Sequence, residues 1–262
     1  MNSIIITVIL LGVIGLVIGI LLVILGNVFA VEVDEKAVAV RACLPGNNCG
    51  ACGYAGCDAA AAAVAAGTAP SGVCPVGGQK AADAIAAIVG GDASLGEKKV
   101  AFVRCAGTCD KVKTRGNLVE ADSCSSAAAV GVSDKMCAQG CLGFGTCTEV
   151  CQFDAIRLVG GIAKVDREKC VACGMCAAAC PQHLITLIPV STAYQVQCSN
   201  REKFAVLKNQ CDAGCRGCGL CVKQCPKGAI SMQGNVAAID PALCEGCGLC
   251  AEKCPAKIIV KL

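Results

Sequence analysis

Cysteine makes up 26 of the 262 residues, and most of these thiols stand in tight, regular runs. The run Cys215-x2-Cys218-x2-Cys221-x3-Cys225-Pro226 is followed by Cys244-x2-Cys247-x2-Cys250-x3-Cys254-Pro255. This is the bacterial two-cluster ferredoxin pattern, in which three cysteines of a run hold one four-iron–four-sulfur cluster and the fourth ligates the other. One cluster is therefore expected on Cys215, Cys218, Cys221 and Cys254, and its partner on Cys244, Cys247, Cys250 and Cys225. Thiols used as metal ligands belong to a reducing compartment, which places this part of the chain in the cytoplasm. A disulfide scaffold is the signature of short secreted chains, and this chain is long.

A 74-residue repeat carries the same chemistry upstream. Adding 74 to Cys124, Cys137, Cys141, Cys147, Cys151, Cys170, Cys173, Cys176 and Cys180 gives a cysteine every time, and Asp166 and Pro181 map to Asp240 and Pro255. The two copies run over about 124–189 and 198–262. In the first copy Cys170-x2-Cys173-x2-Cys176-x3-Cys180-Pro181 is regular, but Phe144 stands where the second copy has Cys218. Cys137, one short turn before Cys141, can supply the missing thiolate. The expected sets are Cys137, Cys141, Cys147 and Cys180 for one cluster, and Cys170, Cys173, Cys176 and Cys151 for the other.

A different motif precedes the repeat: Cys49-x2-Cys52-x4-Cys57-x16-Cys74 with interleaved glycines. Glycine lets the backbone bend closely around a cluster. A four-cysteine zinc site is the competing reading, but the two well-separated C-x-x-C knuckles of a zinc ribbon are missing. These sets give five 4Fe-4S clusters. Of the remaining thiols, Cys105, Cys109 and Cys124 look like three ligands of a sixth, with Cys198 or Cys211 as the fourth. Cys43 is expected to be a free thiol. His183, the single histidine, is expected at the surface, and Phe144, Phe153 and Tyr54 beside the clusters as shields.

Other chemistry is poorly provided for. No G-x-G-x-x-G follows a strand and no phosphate loop is present, so the chain lacks a recognisable NAD or nucleotide site. One histidine excludes a Ser–His–Asp set. A net charge of +3 without a long basic run argues against nucleic-acid binding.

The elements that must position the thiols can be read around them. Residues 4–30 carry no charge, and Ile4–Leu25 is long enough to span a bilayer as a helix. Val28-Phe29-Ala30 resembles a signal cleavage site, but no basic residue precedes the run and it is too long for a signal core, so a retained transmembrane anchor is expected. Gly15 and Gly19 would let a partner helix approach. Helices are expected over Asp58–Ala66, stopped by Gly67, and over Lys80–Val89. Residues 229–232 and 237–240 read as a hairpin. The fold class is α+β, organised as an anchor (1–30), a four-cysteine iron–sulfur domain (31–95), a first ferredoxin-like module with extra cysteines (96–190) and a second (191–262).

The order of these features carries a resemblance: one apolar helix, then N-N-C-G-A-C-G-Y-A-G-C at 47–57, Cys74-Pro75, Val103-Arg-Cys105-Ala-Gly107, Cys141-Leu-Gly-Phe-Gly-Thr-Cys147, and the ferredoxin runs. It resembles the B subunit of the Rnf ferredoxin:NAD oxidoreductase complexes. The resemblance implies an iron–sulfur subunit of a membrane-bound translocase, taking electrons from soluble reduced ferredoxin and relaying them to membrane subunits while sodium or protons are moved. NAD and flavin chemistry would reside in other chains. A membrane-anchored polyferredoxin serving a different dehydrogenase or reductase is the alternative.

Overall fold

The computed structural model describes residues 2–28, 34–93, 95, 97–116, 121–131 and 133–262. The Phe29-Ala30 pair and Glu32 lie outside them. Helix α1 (Asn2–Val28) has 27 residues. Among the described residues no helix is long and apolar enough to cross a membrane. The side chains of residues 10–25 are among those described. Those described side chains are exposed, and nothing packs within 4 Å of Gly15 or Gly19.

Three helices build the domain that follows. Helix α2 (Glu35–Cys43) is capped by the Asp34 carboxylate, which accepts from the Lys36 N–H. Helix α3 (Cys57–Ala65) is alanine-rich and ends before Gly67, whose φ of 71° suits a left-handed stop. Helix α4 is Gly78–Val89. Val40, Val64 and Ile85 interlock their buried faces.

The rest of the chain is two ferredoxin-like units. In the first, β1 (Lys99–Val103) pairs antiparallel with β4 (Ile185–Pro189), and β2 (Ile156–Val159) forms a hairpin with β3 (Ile162–Val165). In the second, β5 (Tyr194–Val196) pairs with β8 (Ile259–Lys261), and β6 (Ile230–Gln233) with β7 (Val236–Ile239). The hairpin strands of the two units are 74 residues apart at every boundary. The closing bonds repeat too: Asp166 N–H donates to Ala155 O at 2.7 Å and Asp240 N–H to Ala229 O at 2.8 Å.

Short helices complete the units: α5 (Cys124–Val130) and α6 (Thr146–Glu149), then α7 (Met175–Ala178), α8 (Phe204–Leu207), α9 (Leu220–Gln224) and α10 (Leu249–Glu252), and all but α8 contain a cysteine. Four of them begin on a glycine in left-handed backbone: Gly145, Gly174, Gly219 and Gly248, with φ of 86°, 79°, 68° and 80°. Only glycine adopts this conformation without strain, and in each case the third cysteine of a run follows two residues later.

The units differ ahead of their first ligand run. The first inserts the long segment 104–140, where the second has only 197–214. That segment folds onto the second unit. Lys113 N–H donates to Gln210 O and Asp212 N–H to Lys111 O, both at 2.8 Å. A small shared core of Val112, Cys137, Leu207, Cys211 and Ala213 seals the contact.

Candidate metal centres

None of the 26 cysteines is paired in a disulfide. Five apolar cavities are each ringed by four of them. Cys151, Cys170, Cys173 and Cys176 share a cavity with Phe153, Ile156 and Met175. Its counterpart in the second unit is lined by Cys225, Cys244, Cys247 and Cys250. A third ring is Cys215, Cys218, Cys221 and Cys254.

The other two rings differ from the expectation drawn from spacing. Cys141, Cys147 and Cys180 are joined by Cys124, and Cys137 is elsewhere. Cys124 starts α5 behind a Ser123–Ser126 capping box, and its N–H donates to Thr146 Oγ1 at 2.8 Å. That bond ties it to α6, which carries Cys147. Cys137 instead lines a cavity between the units with Cys105, Cys198 and Cys211. The Asn200 side chain, almost wholly buried, donates from Nδ2 to Cys137 Sγ at 3.3 Å and so draws that thiol toward the second unit. Cys105, Cys198 and Cys211, three of the leftover thiols, thus meet in one ring. Cys109 lines none of the five cavities, and its Sγ sits where a Cβ on Gly161 would fall. Cys43 donates weakly to Ala39 O.

The interface ring has an approximate two-fold pattern. Cys137 and Cys211 are 74 residues apart. Cys105 and Cys198 each follow their strand, β1 or β5, by two residues. Each accepts from an equivalent N–H, Cys141 to Cys105 and Cys215 to Cys198, both at 3.4 Å. The spatial counterpart of Cys198 is therefore Cys105, although the sequence repeat aligns it with Cys124.

In the N-terminal domain Cys57 and Cys74 approach each other from α3 and the loop before α4. Cys57 N–H donates to Asn48 Oδ1 at 2.8 Å, and Gly77 N–H to Cys74 Sγ at 3.3 Å. Burial pushes the Cys74 thiol up and nearby Cys52 and Cys57 add to the shift, while the Gly77 and Val76 N–H groups oppose it. Of the aromatic side chains, Tyr54 packs on this domain's core and Phe153 on that of the first unit. His183 is exposed, in a left-handed turn at φ 50° after Cys180-Pro181.

Electrostatics report the same rings. Burial first, then Cys141, Cys124, Cys176 and Cys180, push the Cys147 thiol up to about 12. Cys176 rises to about 11 by burial and by Cys170, Cys173 and Cys151. Cys221 rises to about 11 by burial, Cys215, Cys254 and Cys218. Cys211 rises to about 11 by burial, then Cys137, Cys105 and Cys198, against the Ala213 N–H.

Neighbouring rings also act on one another. Cys176 acts on Cys147, Cys105 on Cys141 and Cys215 on Cys198. Cys173 is raised by burial and also by Cys49 of the N-terminal domain.

The donor set decides which guest fits. Among the described residues no three His, Cys, Asp or Glu side chains are gathered tightly enough to hold a metal ion. A single tetrahedral zinc at about 2.3 Å would draw its thiolates to within about 4 Å of one another. Four thiols walled by apolar side chains and approached by backbone N–H groups suit a cluster bound by one thiolate per iron.

Comparison with known proteins agrees. Residues 44–76 match the Fe-S cluster family model, 163–186 the 4Fe-4S binding domain and 214–258 the 4Fe-4S dicluster domain. The chain is 46% identical over 242 residues to the B subunit of the Na(+)-translocating ferredoxin:NAD(+) oxidoreductase complex of Acetobacterium woodii, covering 92% of this chain and 72% of the relative. This chain belongs to the B-subunit family of the Rnf-type, ion-translocating oxidoreductase complexes. Another member is the B subunit of the ion-translocating oxidoreductase complex of Methanosarcina acetivorans, 38% identical over 86% of both chains. A third is the B subunit of the proton-translocating ferredoxin:NAD(+) oxidoreductase complex of Clostridium ljungdahlii, 36% identical over 93% of this chain and 86% of its own. As a member of this family the chain is an iron–sulfur electron-transfer component of an oxidoreductase complex.

Proposed function

We propose that this protein is a membrane-anchored wire of six 4Fe-4S clusters that accepts electrons from reduced soluble ferredoxin and hands them to the membrane subunits of its complex. The observation that carries the reading is that thiols of successive sets are close enough to act on one another electrostatically, from the second unit to the N-terminal domain. A bound cluster supplies one-electron exchange at fixed geometry. The ligand sets are Cys49, Cys52, Cys57 and Cys74, then Cys151, Cys170, Cys173 and Cys176, then Cys124, Cys141, Cys147 and Cys180. Beyond these come Cys105, Cys137, Cys198 and Cys211, then Cys215, Cys218, Cys221 and Cys254, and last Cys225, Cys244, Cys247 and Cys250.

The hydrogen bonds from Cys215 N–H to Cys198 and from Cys141 N–H to Cys105, with the electrostatic effects of Cys176 on Cys147 and of Cys49 on Cys173, support this order. Cys218 and Cys247 are exposed, which suits exchange with a soluble donor at the second unit. The uncharged helix α1 anchors the opposite end as a single span, with the soluble part cytoplasmic. The four-unit organisation at 1–30, 31–95, 96–190 and 191–262 follows from this assignment. The coupling ion belongs to the partner subunits; the relatives' names include both sodium and proton translocation.

Two measurements on the intact complex test this. Reduced ferredoxin should bleach the visible absorbance of the full chain. Cys49→Ala should leave that bleaching intact while blocking electron arrival at the membrane subunits. Equal loss of both steps would contradict the order of the wire.

A further inference from the structure

Lys135 is a buried lysine, 8% exposed. Its Nζ donates to Cys141 O at 2.9 Å and to Gly161 O. The ion pairs among the described residues are Arg41–Asp58 and Lys227–Glu245, so no carboxylate there answers this charge. Gly143 makes the space: at φ +87° it has no side chain, and a Cβ would fall 3.4 Å from Lys135 Nζ and 2.7 Å from Gly161 O. A buried cation is costly unless negative charge compensates it. Lys135 acts attractively on the Cys141 thiol; Cys109 Sγ also faces it across Gly161 but lines none of the rings.

The repeat supplies an internal control. Adding 74 to Lys135 gives Asn209, which is exposed. Cys215, the counterpart of Cys141, therefore has no matching buried cation at that position. Arg216, whose counterpart is Leu142, borders the second ring's cavity, but it is exposed and its guanidinium lies 5.6 Å from the centre of the Phe204 ring, so of the two rings only the first has a buried fixed charge beside it.

We infer that Lys135 is a positioning residue that sets the reduction potential at the Cys124–Cys141–Cys147–Cys180 ring above that at the Cys215–Cys218–Cys221–Cys254 ring. The inference rests on the cluster reading above. One electron from a one-electron donor adds one negative charge to a ring and, with no titratable group required, no proton. Lys135 stabilises that added charge at one ring only. Electrons that cross the interface ring then collect in the first unit, on the way to the N-terminal domain.

The test is a mediated redox titration of the anaerobically purified full chain, read by electron paramagnetic resonance, with iron counted on every sample. Lys135→Gln removes the charge and keeps two N–H donors; Lys135→Arg keeps the charge. The Gln variant should shift one signal to lower potential by at least tenfold in the reduction equilibrium, about 59 mV for one electron, and the Arg variant should restore it. Full iron content with unmoved potentials in the Gln variant, or an equal shift of every signal, overturns the inference.

The unsubstituted chain gives a second reading should the Gln variant lose iron. Cys124→Ser and Cys218→Ser each alter, and so identify, the signal of their own ring. In the wild-type titration the Cys124-marked signal should reduce at the higher potential, and the reverse order overturns the inference. Absence of iron from the wild-type chain would instead remove the cluster reading itself.

Discussion

The two ferredoxin-like units share their hairpins, their paired outer strands and the left-handed glycines that launch each ligand helix. They differ in where one thiol comes from. In the second unit the ring around Cys215 draws all but Cys254 from a single run. In the first, Phe144 replaces the run's second cysteine, and Cys124 comes in from a separate helix that starts 22 residues before Thr146, to which it is bonded. Cys137 is thereby released to the interface, where it joins Cys105, Cys198 and Cys211. A ring can keep its four sulfurs in space while the sequence source of one migrates, and the freed thiol allows a further ring that neither unit could build alone.

The largest expected effects come from paired cysteine substitutions that break this comparison. Cys137→Ala and Cys211→Ala each remove a ligand from the interface ring, so the double variant should lose about four irons, no more than either single one. Cys124→Ala with Cys211→Ala should lose about eight, because two rings are struck. If Cys137 and Cys211 together cost about eight irons, Cys137 belongs with Cys141 as the local spacing suggests.

Packing between the units should show next. Leu207 is fully buried in the small core they share. Leu207→Ala is expected to cost about 2–5 kcal/mol, measured as earlier loss of visible absorbance in anaerobic denaturation. An unchanged midpoint would mean that the units do not pack there.

The left-handed glycines give a smaller contrast inside the second unit. Gly219→Ala meets nothing within 4 Å, so only backbone strain of about 1–2 kcal/mol is expected. Gly248→Ala adds a clash, since its Cβ would lie 2.7 Å from Tyr194 Oη. The same denaturation assay should rank Gly248→Ala as the worse variant, and the reverse ranking would dispute the position of Tyr194.

Proton linkage gives the mildest effect. In the cluster-free fold, burial and neighbouring thiols raise Cys147 to about 12 and Cys176, Cys211 and Cys221 to about 11, from 9.0. Above pH 9 the folded thiols keep protons that unfolded ones release. Stability of the empty fold is therefore unaffected below that pH and falls as pH rises toward 11–12. Cluster assembly has the opposite sign: ligation needs thiolates and releases protons, so reconstitution with iron and sulfide should weaken as pH falls from 9 to 7. Chemical denaturation of the empty chain and iron uptake, each followed across pH, check the two directions.

Much of this was legible in the sequence. The C-x2-C-x2-C-x3-C-P runs require four thiols to converge. The hairpin of β6 and β7 was legible to within one residue, and the alanine run and Gly67 placed α3 equally well. The interface ring was not legible. Its members come from two strand ends and two loops, and no local spacing links Cys105 to Cys198. The repeat register itself misled, because Cys124 and Cys198 align by 74 in number while occupying different rings. The one available signal was the deficit at Phe144, which showed that a thiol had to arrive from elsewhere without showing from where. Lys135 was also silent, since a single lysine in a polar segment reads as solvated surface until Gly143 and Gly161 are seen closing around it.

The electron wire stands on thiols that grip iron–sulfur cubes at six separate places. Counting iron and acid-labile sulfide on the full chain, purified without oxygen, addresses that most directly. Six rings predict about 24 of each per chain. A count near 20 would remove one of the six rings, and a folded chain carrying zinc, or no metal at all, would contradict the wire outright.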